Sequence, residues 1–113
     1  MLTALLLAVT IQATPPVNPT VIAFTCPDHA EDSQHEVDVV TEAGAVLSTI
    51  LVGDPPVNAA GEVEVTLSIQ PIKFGRYTFK VRAVGPGGEK SASSDASEVW
   101  VRGPGKPGKP IVK

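Results

Sequence analysis

Three observations predict an all-β fold. The stretch from Tyr77 to Val84 alternates Tyr77, Phe79, Val81 and Ala83 with Thr78, Lys80, Arg82 and Val84, the period of two of a strand with one buried face. The 11 prolines and 10 glycines cut the chain into short pieces, and no stretch of helix formers carries a 3.6-residue apolar stripe. A length of 113 residues suits one domain holding seven strands of about six residues joined by short turns.

The predicted strands cover residues 4–13, 19–25, 35–41, 45–52, 62–69, 76–84 and 97–102. The opening run, Met1 to Ala13, is too short to span a bilayer. It has a leader-like apolar character, but no Lys or Arg precedes it and Ile11-Gln12-Ala13 is a poor cleavage site, so a first strand is favoured over a leader. Thr14 to Thr20 follows as a rigid corner, because proline fixes φ and withholds a donor. Its word Pro15-Pro16-Val17-Asn18 recurs as Pro55-Pro56-Val57-Asn58, too short a match for a duplication and enough for shared turn chemistry.

In His35 to Val40, Val37 and Val39 share one face and Glu36 and Asp38 the other. Glu42-Ala43-Gly44 is a natural hairpin corner, and the nearly continuous apolarity of Ala45 to Val52 predicts burial or a covered edge. Residues 62–69 alternate cleanly, with Glu62 and Glu64 placed to face Lys80 and Arg82 if the sheet pairs them. The last strand places Val99 and Val101 on one side and Glu98, Trp100 and Arg102 on the other. That makes Trp100 a candidate interface anchor, with cover for apolar stems at the sheet's rim as the plainer reading.

The end of the chain resembles the end of a fibronectin type III domain. The likeness rests on Tyr77-Thr78-Phe79-Lys80-Val81-Arg82-Ala83-Val84, the turn Gly85 through Gly88, the Ser-rich approach Ser91 through Ser94 and the final Val99 to Val101. It covers roughly the last 40 residues. The resemblance implies a seven-stranded antiparallel fibronectin type III-like β-sandwich over residues 1–102, with Tyr77 as the tyrosine corner. The Leu-x-Pro that usually precedes that tyrosine is replaced by a segment with Pro71, where Ile69 and Ile72 are candidate plugs, and the family's early core tryptophan is missing.

The formal charge of −3 hides a division. Residues 1–72 hold nine carboxylates and no Lys or Arg, whereas residues 73–113 hold all nine basic residues against three acidic ones. Either the two parts present surfaces of opposite sign that attract copies or partners, or they mingle across strands. Residues 103–113 form an extended basic arm, with Lys106, Lys109 and Lys113 for charge and Ile111 and Val112 as an apolar docking point.

Catalytic patterns are missing from the sequence. It offers no defensible Ser-His-Asp set, phosphate loop or HExxH, and a non-enzymatic protein is expected. The one metal-like constellation is Cys26, Asp28, His29, Glu31, Asp32 and His35. Cys26-x-x-His29 followed by His35 supplies three zinc donors, but the second Cys-x-x-Cys half of standard motifs is missing, so a solvated loop without metal or cofactor is preferred. With a single cysteine no intrachain disulfide forms. Lys80, Arg82, Lys90, Arg102 and the tail lysines lack interleaved aromatics, which predicts no specific nucleic-acid readout.

The expected function is a non-catalytic, protein-binding structural module. Fibronectin-like and immunoglobulin-like domains occur in bacteriophage capsids and tails, and by that resemblance the expected setting is a virion, as a capsid decoration or tail subunit. The expected partners are capsid or tail proteins and copies of the chain itself, with no membrane. Trp100, Arg102, Lys106, Lys109, Ile111 and Val112 are the candidate partner-binding residues. The alternative is a secreted or cell-surface adhesion or carbohydrate-binding module whose first residues are a leader.

Overall fold

The computed structural model describes residues 14–113, so the expected strand over residues 4–13 lies outside the described part. The described residues form six strands: β1 (Val21–Phe24), β2 (Gln34–Thr41), β3 (Val46–Gly53), β4 (Val63–Thr66), β5 (Gly75–Val84) and β6 (Trp100–Arg102). Among the described residues there is no helix, and the class is all-β, as expected. The strands form two antiparallel sheets, β1-β4 and β3-β2-β5-β6.

One apolar cluster joins the two sheets. Val63, Val65, Leu67 and Ile69 come from β4 and its continuation, and Val37, Val39, Tyr77, Phe79 and Trp100 come from the larger sheet. The alternation read in residues 62–69 is therefore real, although regular pairing ends at Thr66. Ile69 and Ile72 are both buried, and the Tyr77 hydroxyl donates to the carbonyl of Lys73 at 2.8 Å. That bond satisfies a polar group that burial would otherwise leave costly.

Trp100 is corrected by the structure: it is 2% exposed and lies in the core. The physical reason is register. Directly opposed residues of an antiparallel pair share a face, and Trp100 opposes the inward-facing Tyr77. Its ring stacks on Phe79 at 4.7 Å between centroids and lies tilted against Tyr77 at 5.1 Å. The alternation itself holds, with Trp100 opposite Val99 and Val101; what differs is that the tryptophan side, not the valine side, turns inward.

Residues 91–97 instead follow β5 with a period of three. Ser91, Ser94 and Ser97 donate their backbone N–H groups to the carbonyls of Ala83, Val81 and Phe79. In return the N–H groups of Ala83, Val81 and Phe79 donate to the three serine hydroxyls at 2.8–3.0 Å. Each hydroxyl replaces a carbonyl that a regular strand would supply, so three residues on one side span two on the other. Ser97→Ala is expected to lose about 1 kcal/mol, whereas Ser93→Ala, outside the series, stays within about 0.5 kcal/mol of the parent. Urea denaturation measures both, and equal losses would contradict the serine ladder.

β3 differs from expectation in another way. Its apolar run forms a sheet edge on which Val46, Leu47 and Leu51 are exposed. The register to β2 skips Val52 and Leu47, and bulges of this kind twist an edge away from further pairing. The hairpin before it turns where expected, with Gly44 at φ 87°.

The acidic and basic parts of the chain mingle because β2 pairs with β5. Arg82 binds both Glu36 and Asp38, and Lys90 reaches Glu36 at 2.8 Å. Glu62 and Glu64 do not face Lys80 and Arg82, since β4 belongs to the other sheet. The repeated Pro-Pro-Val-Asn word is used in two settings, once against a distant segment and once within a local turn. Val17 bridges to Val101 and Val57 to Val63, while Asn18 Oδ1 accepts from the Gly103 N–H and Asn58 Oδ1 from those of Ala60 and Glu62.

Candidate functional site

Two regions carry side chains that the core does not explain: the β1–β2 crossover and the C-terminal arm. The crossover passes from one sheet to the other. A turn in which the His29 N–H donates to the Cys26 carbonyl at 3.2 Å folds His29 back over Cys26. His35 enters on the valine face of β2, as alternation requires, beside the bulge at His35/Glu36. Across the sheet, Gly53 takes φ 74° at the end of β3, a conformation that costs glycine little, and Asp54 follows it.

Cys26 Sγ lies 3.9 Å from His29 Nδ1, and His29 Nε2 lies 3.1 Å from Asp54 Oδ1. The donor atoms of Cys26, His29 and His35 all fall within 4.8 Å of one another. The His29 and His35 rings stack at 5.1 Å, and Phe24 closes on His35 edge-on at the same distance. His35 is 1% exposed, and neither of its ring nitrogens makes a well-formed hydrogen bond, the Gly53 backbone being the one polar group that acts on the ring.

Burial pushes the His35 pKa down, with His29 adding to the effect, so its imidazole is held neutral. Burial raises the Cys26 pKa, reinforced by the charges of Asp28 and Asp54. Cys26, His29 and Asp54 form a thiol–imidazole–carboxylate series across the crossover and the end of β3. Of the acidic residues read as part of this constellation, Asp28 lines the depression beside Cys26. Asp54, which sequence spacing did not connect with Cys26, provides the contact to His29. Its only local signal is the Gly53-Asp54 pair closing a strand.

The residues expected to bind partners separate into two groups. Arg102 is used within the domain: its guanidinium donates to the Ile69 carbonyl, Asn18 Oδ1 and Gln70 Oε1, and its centre lies 5.1 Å from the Phe74 ring centroid. Trp100 is in the core, as described above. Lys106, Lys109, Ile111 and Val112 are exposed along the arm, where Ile111 is 79% and Val112 97% accessible. The arm's root is held, since Gly103 is buried and clamped through both its N–H and its carbonyl by the Asn18 side chain.

No family model, curated protein or solved structure matches the chain. Among the described residues no helix is long and apolar enough to cross a membrane.

Proposed function

We propose that the chain is a non-catalytic protein-binding module with a fibronectin type III-like β-sandwich, acting as a bacteriophage virion subunit in a capsid shell or tail. The sandwich reading is supported by the sheet order, β1-β4 against β3-β2-β5-β6. It corresponds to strands B and E facing C′, C, F and G of an immunoglobulin-like arrangement, with the Tyr77 bond back to Lys73 in the place of a tyrosine corner. Fold hosts many functions, so the binding role rests on a different observation. Pro104 to Lys113 is exposed throughout and ends in the apolar pair Ile111-Val112 between Lys109 and Lys113.

An exposed apolar pair on a cationic strap gains most from a neighbouring subunit that offers an acidic rim around an apolar notch. Many equivalent copies on a lattice, with capsid or tail proteins or further copies of the chain as neighbours, supply the multivalency that makes a short arm effective.

The test is co-sedimentation of the full chain with virions or empty shells from the lysate that contains it. A chain ending at Gly103 is the control. Regular stoichiometric binding, reduced at least tenfold by the truncation, is expected. Full-length chain remaining as a monomer in the supernatant would sink the proposal. A natural product whose sequence starts near Thr14 would favour the secreted adhesion module instead.

A further inference from the structure

We propose that Cys26, His29 and His35 form a zinc site, with Asp54 as the positioning residue that orients His29 and with a fourth coordination position left to water or an incoming donor. Zinc bonds of about 2.0–2.1 Å to nitrogen and 2.3 Å to sulfur place tetrahedral donor atoms about 3.3–3.6 Å apart. Here Cys26 Sγ and His29 Nδ1 are 3.9 Å apart, and all three donor atoms fall within 4.8 Å. Small side-chain rotations, two of them in a loop, close the difference.

Two independent observations separate this cluster from incidental neighbours. His35 is 1% exposed with neither ring nitrogen in a well-formed hydrogen bond and only the Gly53 backbone acting on the ring, although buried polar atoms are nearly always satisfied; a metal bond satisfies one of the two nitrogens. The Asp54 carboxylate engages His29 Nε2 at 3.1 Å. That contact places the proton on Nε2 and leaves the Nδ1 lone pair directed toward Cys26, the carboxylate–histidine pairing that commonly supports metal ligands. A thiolate with two imidazoles is a donor set for zinc rather than for magnesium or calcium.

The site's place in the fold gives it a structural consequence. Cys26 stands two residues beyond β1 of the smaller sheet, His35 is the second residue of β2 in the larger one, and Asp54 directly follows β3. One ion thus ties the two sheets together at one end. No such site exists in the unfolded chain, so metal binding adds to folding stability.

Cobalt(II) titration of the reduced, chelator-stripped full chain, followed by displacement with zinc(II), tests the proposal. Expected are one equivalent bound, a thiolate-to-cobalt charge-transfer band, and a zinc-induced rise in Tm on the order of 10 °C at about 100 times Kd. Zinc should also slow alkylation of Cys26. Cys26→Ser should abolish the charge-transfer band, His29→Ala should weaken zinc at least tenfold, and Asp54→Asn should weaken it about 10–100-fold. These variants are used because removing His35 from the core would confound folding with binding; circular dichroism verifies that each is folded. The proposal is overturned if the folded, reduced protein gives no charge-transfer band, if Cys26→Ser and His29→Ala bind zinc as the parent does, or if zinc leaves Cys26 alkylation unchanged.

Discussion

Trp100→Ala is expected to cost about 3–5 kcal/mol, the usual range for removing a large aromatic from a core. Trp100 is one of the largest fully buried side chains and stacks on Phe79 while touching Tyr77. Its loss opens a cavity that β6, three residues long, has little means to close. Domains of this size are stable by about 5–15 kcal/mol in all, so the variant sits near the limit of folding at 37 °C. Trp100→Phe keeps an aromatic on Phe79 and removes the buried indole N–H, which has no hydrogen-bond partner. It is expected to lose only about 1–2 kcal/mol. Urea denaturation followed by circular dichroism ranks the three proteins. A Trp100→Ala variant within about 1 kcal/mol of the parent would show that the indole is not the centre of the core.

The second large effect is acid lability centred on Glu36. Glu36 is 7% exposed, and its carboxylate accepts hydrogen bonds from Lys90 Nζ and Arg82 Nε. The hydrogen bond from Lys90, followed by that from Arg82, holds its pKa below the usual glutamate value. A folded pKa below the unfolded one means that the unfolded chain binds the proton more tightly. The resulting stabilisation is fully present above the unfolded value of about 4.3 and disappears as pH falls through the folded value. Glu36→Gln is therefore expected to lower Tm by roughly 5 °C at neutral pH. The gap to the parent should shrink toward zero in strong acid. Thermal melts of both proteins across that range measure it, and a constant gap at every pH would assign the loss to shape rather than charge.

Much of this fold was legible wherever the chain obeys a period of two. The faces of β2, the alternation that begins in β4, most of β5 and the Glu42-Ala43-Gly44 corner follow from local pattern and turn chemistry. The serine segment was not legible as a ladder, because a hydroxyl substituting for a carbonyl changes the spacing without changing composition. That substitution shifted the expected start of the last strand. Trp100 reads as outward on separate grounds, because Val99 and Val101 suggest the inner face, whereas pairing with Tyr77 turns the tryptophan inward. The β3 edge was misread for another reason: its apolar run predicted cover, whereas Val46, Leu47 and Leu51 are exposed. At the crossover the donor types of Cys26, His29 and His35 were visible in the sequence. Their convergence, and the arrival of Asp54 from the far end of β3, depend on pairing between distant strands that no local spacing encodes.

The bridge between Val17 and Val101 is parallel, with the Asn18 N–H donating to the Val101 carbonyl and the Val101 N–H to the Pro16 carbonyl, each at 2.8 Å. Tension applied through residues preceding this bridge and through the arm that follows Gly103 draws the paired segments along their own length in opposite directions. Both bonds are then loaded together in shear instead of being peeled open in turn. A chain anchored at both ends would carry that load where its first and last described segments meet.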